Sequence, residues 1–496
     1  MNEYLVRFVQ LHESFRVPEL QALAQLASVT LEVVDYRQDS PFCIVRLPSD
    51  DAARKLVGRS VLATSISSLW GSGAVLESLH NSVQARTSAL WPKYRDVSFR
   101  FDIDSFRGKR PQSSKAELIN GFSYMKLMGP IRPSDPDVDE VWTISEEYAL
   151  RGPGKTHRSP FRLFLSRLVS MSARDAVGVY DLKKRNYIST TSMDAELSLV
   201  TANMALASAG KVVYDPFCGT GSFLVAAAHF GAMTTGSDMD GRVVRGKIKN
   251  SKNAPTKKYK VAFAASGSDE KKVLERSVRG NLAQYHLEGR WLDGFVSDLT
   301  NSPIRIGASS TTSRSRWLDA IVCDPPYGVR EGLKVLGSHK PELQEVVKMA
   351  DGTPAHLAEG YIPPKRPYSF DAMLADILAF AADALVDDGR LCIWIPAENV
   401  DTETGDQTGG DLGIPMHPCL HKCSVSTQDF TRWSRRLVVY GRLPDSDVDT
   451  DALVQYNAMK KDKLERGTAD ELNEFRRRFF EGFKQKSDTA ILSPAE

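Results

Sequence analysis

Cysteine is scarce here. Six thiols in 496 residues (Cys43, Cys218, Cys323, Cys392, Cys419 and Cys423) lie scattered through apolar runs. That excludes a dense disulfide framework and points to a reducing, cytoplasmic compartment, with the thiols packed as small hydrophobes. Neither sign of charge is in excess. With 64 Lys plus Arg against 62 Asp plus Glu, the net charge of +2 says nothing about a nucleic-acid partner, and only local patches can. No apolar run reaches the ~18 residues of a membrane span, and the N-terminal MNEYLVRFVQ has no signal-peptide core, so a soluble chain is expected. The length argues for two or three domains.

What is present changes rhythm along the chain. Strand-like runs at 4–8, 31–35 and 42–47, with a helix opened by Pro18, predict a small α+β module over 1–90. A second module over 91–175 is predicted from strands at 97–103, 141–145 and 161–168 and a helix at 116–122, with a turn-rich stretch at 151–160. From about Tyr187 the pattern becomes strand, glycine turn, helix, with strands at 211–215, 233–238, 291–297, 317–323 and 390–395. Continuous apolar strands of this kind belong to a parallel sheet covered on both faces, so 176–445 reads as a doubly wound α/β domain. Residues 446–496 form a helical extension. Its amphipathic stretch, with Phe475, Phe479, Phe480 and Arg476–Arg478, is expected to pack rather than bind RNA. Between the second and third sheet strands, 241–260 holds eight basic residues and no acid, either a solvated loop or a phosphate-contacting element. The Ser/Thr/Gly tracts at 306–315 and 401–413 read as loops.

Two turns carry chemistry. Asp215-Pro216-Phe217-Cys218-Gly219-Thr220-Gly221-Ser222 ends a strand and enters a helix through glycines that let backbone approach a ligand, at the strand end where open α/β sheets bind cofactors. It is neither a GK[ST] phosphate loop nor a full GxGxxG, so a nucleoside cofactor without pyrophosphate is expected. Asp238, preferred over Asp240, ends the next strand, suited to ribose hydroxyls, and Asp298 ends the third, suited to an adenine amino group. A lone strand-ending Asp is usually a helix cap; recurrence at three strand ends favours a site. The second turn is Asp324-Pro325-Pro326-Tyr327-Gly328. Its prolines stiffen the backbone so that the Asp324 carboxylate and the Pro325 carbonyl can accept from one NH2 group, while Tyr327 stacks on the ring that bears it. Two acceptors favour a more tetrahedral amine nitrogen and aim its lone pair, which calls for neither metal nor covalent intermediate.

Together these turns resemble those of Rossmann-like amino-methyltransferases. The run from Asp181 to Leu197, DLKKRNYISTTSMDAEL, and the continuation of the second turn to Gly332 narrow the likeness to the eukaryotic tRNA guanine-10 N(2)-methyltransferase catalytic subunits. FSYMKLMGPI at 122–131 extends it upstream. The resemblance implies a Rossmann-like class I methyltransferase domain, preceded by a smaller α+β region of ferredoxin-like (1–90) and THUMP-like (91–175) modules that grip tRNA. It implies S-adenosyl-L-methionine as cofactor, with Thr191 and Ser192 beside it, Asp215, Phe217, Gly219 and Gly221 around its amino-acid part, and Asp238 and Asp298 on its adenosine. Asp324, Pro325, Pro326 and Tyr327 would form the base pocket. Ser189 departs from the pattern, standing where a glycine is expected. The resemblance also implies a small zinc-binding activator subunit. The third strand, with Trp291, Leu292 and Phe295, would be an exposed apolar edge for it to cover.

Two rival readings and one decoy accompany this. The same acceptor pair would suit adenine or a glutamine amide, although those enzymes more often have Asn where Asp324 stands. A non-catalytic RNA-binding adaptor is the rival from another class. His417, Cys419, His421 and Cys423 share one parity and would line one face of a strand, but donors spread over roughly 20 Å cannot share a tetrahedral zinc; no metal is expected.

Overall fold

Turn residues and apolar periodicity partition the chain into two compact units, Met1–Gly178 and Val179–Glu496. The computed structural model describes residues 1–133, 136–150, 159–244, 275–305, 316–329, 332–338, 340–343, 345–358, 361, 363–398, 413–461 and 471–481. The basic insertion beyond Val244, both Ser/Thr/Gly tracts except Gly413, most of the turn-rich stretch at 151–160, and Arg330 and Glu331 lie outside them. Among the described residues no helix is long and apolar enough to cross a membrane.

The first unit contains β1 (Asn2–Phe8), α1 (Glu13–Ala27), β2 (Glu32–Tyr36), β3 (Phe42–Leu47), α2 (Asp50–Val57), β4 (Ala63–Gly73), α3 (Leu76–Thr87), β5 (Phe99–Phe106), α4 (Lys115–Asn120), β6 (Glu140–Glu147) and β7 (Arg162–Met171), with α5 (Asp175–Val179) at its end. Its strands form one sheet, ordered β2-β3-β1-β4-β7-β6-β5. Only β5 and β6 run parallel. Because β4 pairs with β7, the sheet runs through residue 90, where the sequence suggested a boundary. Trp70 and Trp142, edge to face at 5.4 Å, centre one of its cores. One expectation is corrected and one strand was not anticipated. Helix α1 starts at Glu13, so Pro18 lies inside it rather than opening it. Strand β4, ATSISSLWGSG, is too serine-rich to announce itself; pairing on both sides holds it instead.

The second unit contains α6 (Ala195–Met204), β8 (Val212–Asp215), α7 (Ser222–His229), β9 (Met233–Asp238), α8 (Gly241–Val244), α9 (Val278–Gln284), β10 (Trp291–Val296), β11 (Leu318–Cys323), β12 (Lys334–Leu336), β13 (Lys365–Pro367), α10 (Phe370–Ala384), β14 (Leu385–Glu398), β15 (Leu420–Asp429), β16 (Trp433–Arg442), α11 (Thr450–Lys461) and α12 (Glu474–Glu481). Strand order is β10-β9-β8-β11-β14-β16-β15, parallel through β14 and closed by the antiparallel β15–β16 hairpin. The order reverses between β8 and β11, and a crevice at that switch point is where such sheets bind ligands. Helix α10 buries Leu374, Ile377, Leu378 and Ala381 against Ile321, Leu391 and Ile393 of the sheet. That apolar mass fixes the two strands whose ends carry Asp215 and Asp324.

Candidate active site

Strand β8 delivers Asp215 to the switch point almost fully buried, its Oδ1 accepting from the Phe217 amide at 2.9 Å. Phe217 packs against the core, fixing the start of the turn. Gly219 and Gly221 take φ of +50° and +81°, and Gly221 forms the N-cap of α7. A Cβ on Gly221 would lie 2.7 Å from Val278 Cγ1, so this position needs glycine twice over. The Gly219 amide donates to Asp238 Oδ2 at 3.1 Å, joining the turn to the end of β9. Ser192 and Thr220 share a hydroxyl hydrogen bond of 2.7 Å, and Thr191 sits next to them, exposed, its Oγ1 3.2 Å from Ser189 Oγ. Thr191, Ser192, Asp215, Phe217, Gly219, Gly221 and Asp238 are therefore brought around one turn.

Asp298 is placed differently. Its Oδ1 accepts from the Thr300 amide and hydroxyl at 2.9 and 3.0 Å, and its Oδ2 accepts from the Leu336 amide at 2.7 Å. The carboxylate caps its own turn and anchors β12; three of its roughly four acceptor positions are taken, leaving Oδ2 able to accept one more donor.

The second turn leaves β11 with Pro325 buried and Pro326 exposed. Tyr327 does not stand ready to stack: its hydroxyl donates to Asp324 Oδ1 at 2.5 Å, and its ring meets Trp433 edge to face at 6.1 Å. Arg435 Nη1 lies 3.8 Å from Asp324 Oδ2, with its guanidinium over the Trp394 ring at 4.8 Å and Nε donating to Gln428 at 2.6 Å. Burial pushes the Asp324 carboxyl up to about 6, against the opposing pull of the Tyr327 hydrogen bond and the Arg435 charge. Burial also raises Asp215 well above the carboxylate range, helped by the charges of Asp238 and Asp324, and raises Asp238. The charges of Asp238 and Asp324 act on Asp215, while Arg435 partly offsets that of Asp324; a crevice lined by carboxylates is an electrostatic complement of a ligand bearing a sulfonium and an ammonium.

Known proteins resemble this chain along nearly its whole length. The family described as Tmrp11 THUMP N-terminal domain matches residues 2–174, and RMKL-like, methyltransferase domain matches 183–339. The tRNA (guanine(10)-N(2))-methyltransferase of Saccharomyces cerevisiae is 36% identical over 445 residues, covering 89% of this chain and 93% of its own. That of Schizosaccharomyces pombe is 33% identical over 482 residues, 90% of each chain, and the human protein 33% over 442 residues, 88% of each. The chain belongs to the tRNA (guanine(10)-N(2))-methyltransferase family. Its fold is accordingly a class I methyltransferase domain preceded by a THUMP-containing region, and its cofactor is S-adenosylmethionine. Among solved structures, TrmN from Thermus thermophilus aligns over 89% of this chain and 100% of its own, at 15% identity and a TM-score of 0.38.

In this family member several residues of the site escaped the sequence reading. Asn281 Nδ2 donates to the carbonyls of Thr220 (2.9 Å) and Tyr187 (2.7 Å), and its Oδ1 accepts from the Tyr187 amide, stitching 185–192 to the glycine turn. Buried Arg185 donates to Ser222 Oγ at 3.0 Å. From the helical extension, Asn473 Nδ2 donates to the Tyr327 carbonyl at 2.9 Å, and Arg476 Nη1 to the carbonyls of Gly328 and Val329, the latter at 2.9 Å. Gly328, at φ +76°, has Asn473 Nδ2 only 2.5 Å from where a Cβ would be. The extension packs, as expected, but what it packs on is the Asp324–Gly328 turn.

Two further expectations are corrected. Phe295 lies on the edge strand β10 but its side chain is not exposed there; it stacks on Tyr214 at 6.2 Å and 9° and packs against the core. The one-face arrangement of His417, Cys419, His421 and Cys423 does not form either: β15 begins only at Leu420, with a bulge between Lys422 and Ser424. His417 is buried and accepts the Cys419 amide, whereas His421 is exposed.

Proposed function

We propose that this protein transfers a methyl group from S-adenosylmethionine to the exocyclic N2 of guanosine 10 in tRNA. The observation that carries the reading is the half-buried Asp324 at the end of β11, beside the glycine turn at the end of β8. Thr191, Ser192, Asp215, Phe217, Gly219, Gly221, Asp238 and Asp298 would hold the cofactor, which when bound supplies an electrophilic methyl group and would keep the electron pair of the broken S–C bond as a neutral thioether. The ionised Asp324 and the Pro325 carbonyl accept the two N2 hydrogens, turning the nitrogen lone pair out of conjugation. On entry the amine takes over the Asp324 oxygen that the Tyr327 hydroxyl now occupies, which frees the tyrosine ring to lie against the base. As the N–C bond forms, N2 sheds one hydrogen along its bond to Asp324, whose raised pKa suits it to receive that proton.

The substrate part of this reading is tested with tRNA transcripts that differ only at nucleotide 10. Guanosine is expected to be methylated and inosine, which lacks the amino group, is not; equal labelling of both would refute the assignment.

The same reading includes a small zinc-binding activator subunit on the free edge of the sheet and a cytoplasmic location. The edge is supported by β10 being the terminal strand, with Leu292 and Val296 exposed. Co-purification with that subunit is expected to be lost in Leu292→Asp and kept in the Met128→Asp control in the other unit. The location is supported by six free thiols.

A further inference from the structure

A chain of aromatic rings leads away from Asp324. Tyr327 contacts Trp433 at 6.1 Å, Trp433 contacts Phe475 at 5.8 Å, Phe475 contacts Phe479 at 6.2 Å, and Phe479 contacts Phe480 at 5.6 Å. Phe430, at the tip of the β15–β16 hairpin, stacks on Trp433 at 4.6 Å and 26°. Exposure rises outward, to 37% at Phe479 and 62% at Phe480. Core packing does not explain two large rings on the solvent side of a short helix. The surrounding charge is mixed, with arginine in slight excess: α12 reads EFRRRFFE, with Arg476 turned to the 328–329 carbonyls and Arg477 and Arg478 sharing Glu474 at the surface, and the hairpin exposes Arg432 near Asp429.

Chemistry on a base requires that base to leave its stack. The nucleotides on either side then lose a stacking partner, while their phosphates stay close to the active site. Aromatic faces interleaved with arginines bind unstacked nucleotides without needing to read their sequence. A protein partner would be favoured by an apolar face with few charges, which this track is not. We propose that the track from Trp433 and Phe430 to Phe479 and Phe480 is a second RNA-binding surface, which stacks the nucleotides flanking the target guanosine while Arg432, Arg477 and Arg478 meet their phosphates. The inference rests on Asp324 being where the target base is held.

The test uses the full-length protein and tRNA with 4-thiouridine placed immediately before or after the target guanosine. After irradiation, crosslinked peptides are mapped, and Phe479→Ala/Phe480→Ala and Arg477→Glu/Arg478→Glu variants are assayed alongside. Crosslinks to 430–433 or 475–480 are expected, with KM for tRNA raised about five-fold or more in each variant and cofactor affinity and melting temperature unchanged. Crosslinks confined to residues 1–178 with an unchanged KM, as would follow if a protein or another segment of the chain covers the track, overturn it. An Asp324→Ala protein that still crosslinks here but remains fully active would overturn the proposed function and leave this surface standing.

Discussion

Asp324 is a carboxylate under two opposing influences: burial favours its neutral form, and the Arg435 guanidinium at 3.8 Å favours the ion. Only the ion can accept a hydrogen bond from N2 through either oxygen. With the carboxyl raised to about 6, kcat/KM is expected to climb as pH rises through about 6 and to level off above it. The other groups facing Asp324 are the Tyr327 hydroxyl and the Asp215 carboxyl. Arg435→Met removes the stabilising cation, so the climb should move to higher pH while cofactor affinity holds; an unmoved profile would reduce Arg435 to a packing residue. Tyr327 separates in the same way. Its phenyl analogue Tyr327→Phe keeps the ring and should retain most activity, whereas Tyr327→Ala should lose about ten-fold or more in kcat/KM, the scale of one base-stacking ring. Equal loss in both variants would mean the hydroxyl, not the ring, is what matters. Asp215, Asp238 and Asp324 were legible in the sequence because a strand, its terminal acid and its turn are contiguous. Arg435 was not, because more than a hundred residues separate it from the carboxylate it faces.

Among the elements, the two turns depend on different supports. The first is held by the neighbouring strand end and by α9: Gly221 opens α7 at φ +81° with Val278 behind it, the Gly219 amide is tied to Asp238 and the Thr220 carbonyl to Asn281. Gly221→Ala should cost about 1–2 kcal/mol from the left-handed backbone alone, more with the contact, and is read as a lower melting temperature together with weakened cofactor binding. The second turn borrows its support from Asn473 and Arg476, which hold the carbonyls of 327–329. Asn473→Ala/Arg476→Ala should lower kcat about ten-fold or more with cofactor affinity unchanged, since about 1 Å of misplacement is enough for such losses. Normal kcat in that variant would mean the turn holds its shape unaided. The amphipathic pattern of α12 gave its helicity and its packing role, and no pattern within one segment could disclose which distant carbonyls its polar residues would reach. Strand β4 was missed for a related reason, since its place in the middle of a sheet is decided by its neighbours rather than by its serines.

For the whole molecule, the doubly wound domain was legible strand by strand, because five apolar runs alternating with glycine turns admit few topologies. The N-terminal region was less so: one sheet of seven strands joins what local patterns divided at residue 90. The edge position of β10 was foreseen, while the inward turn of Phe295 depends on Tyr214, two strands away in the sheet. The central claim joins both turns into one reaction on one atom of tRNA. The most direct measurement is transfer of label from S-adenosylmethionine to tRNA by the wild-type protein and by Asp324→Ala, followed by nucleoside analysis. Label in N(2)-methylguanosine that falls by on the order of 10²-fold or more in a variant still binding cofactor is the predicted result. Label in a different nucleoside, or undiminished label in the variant, would contradict it.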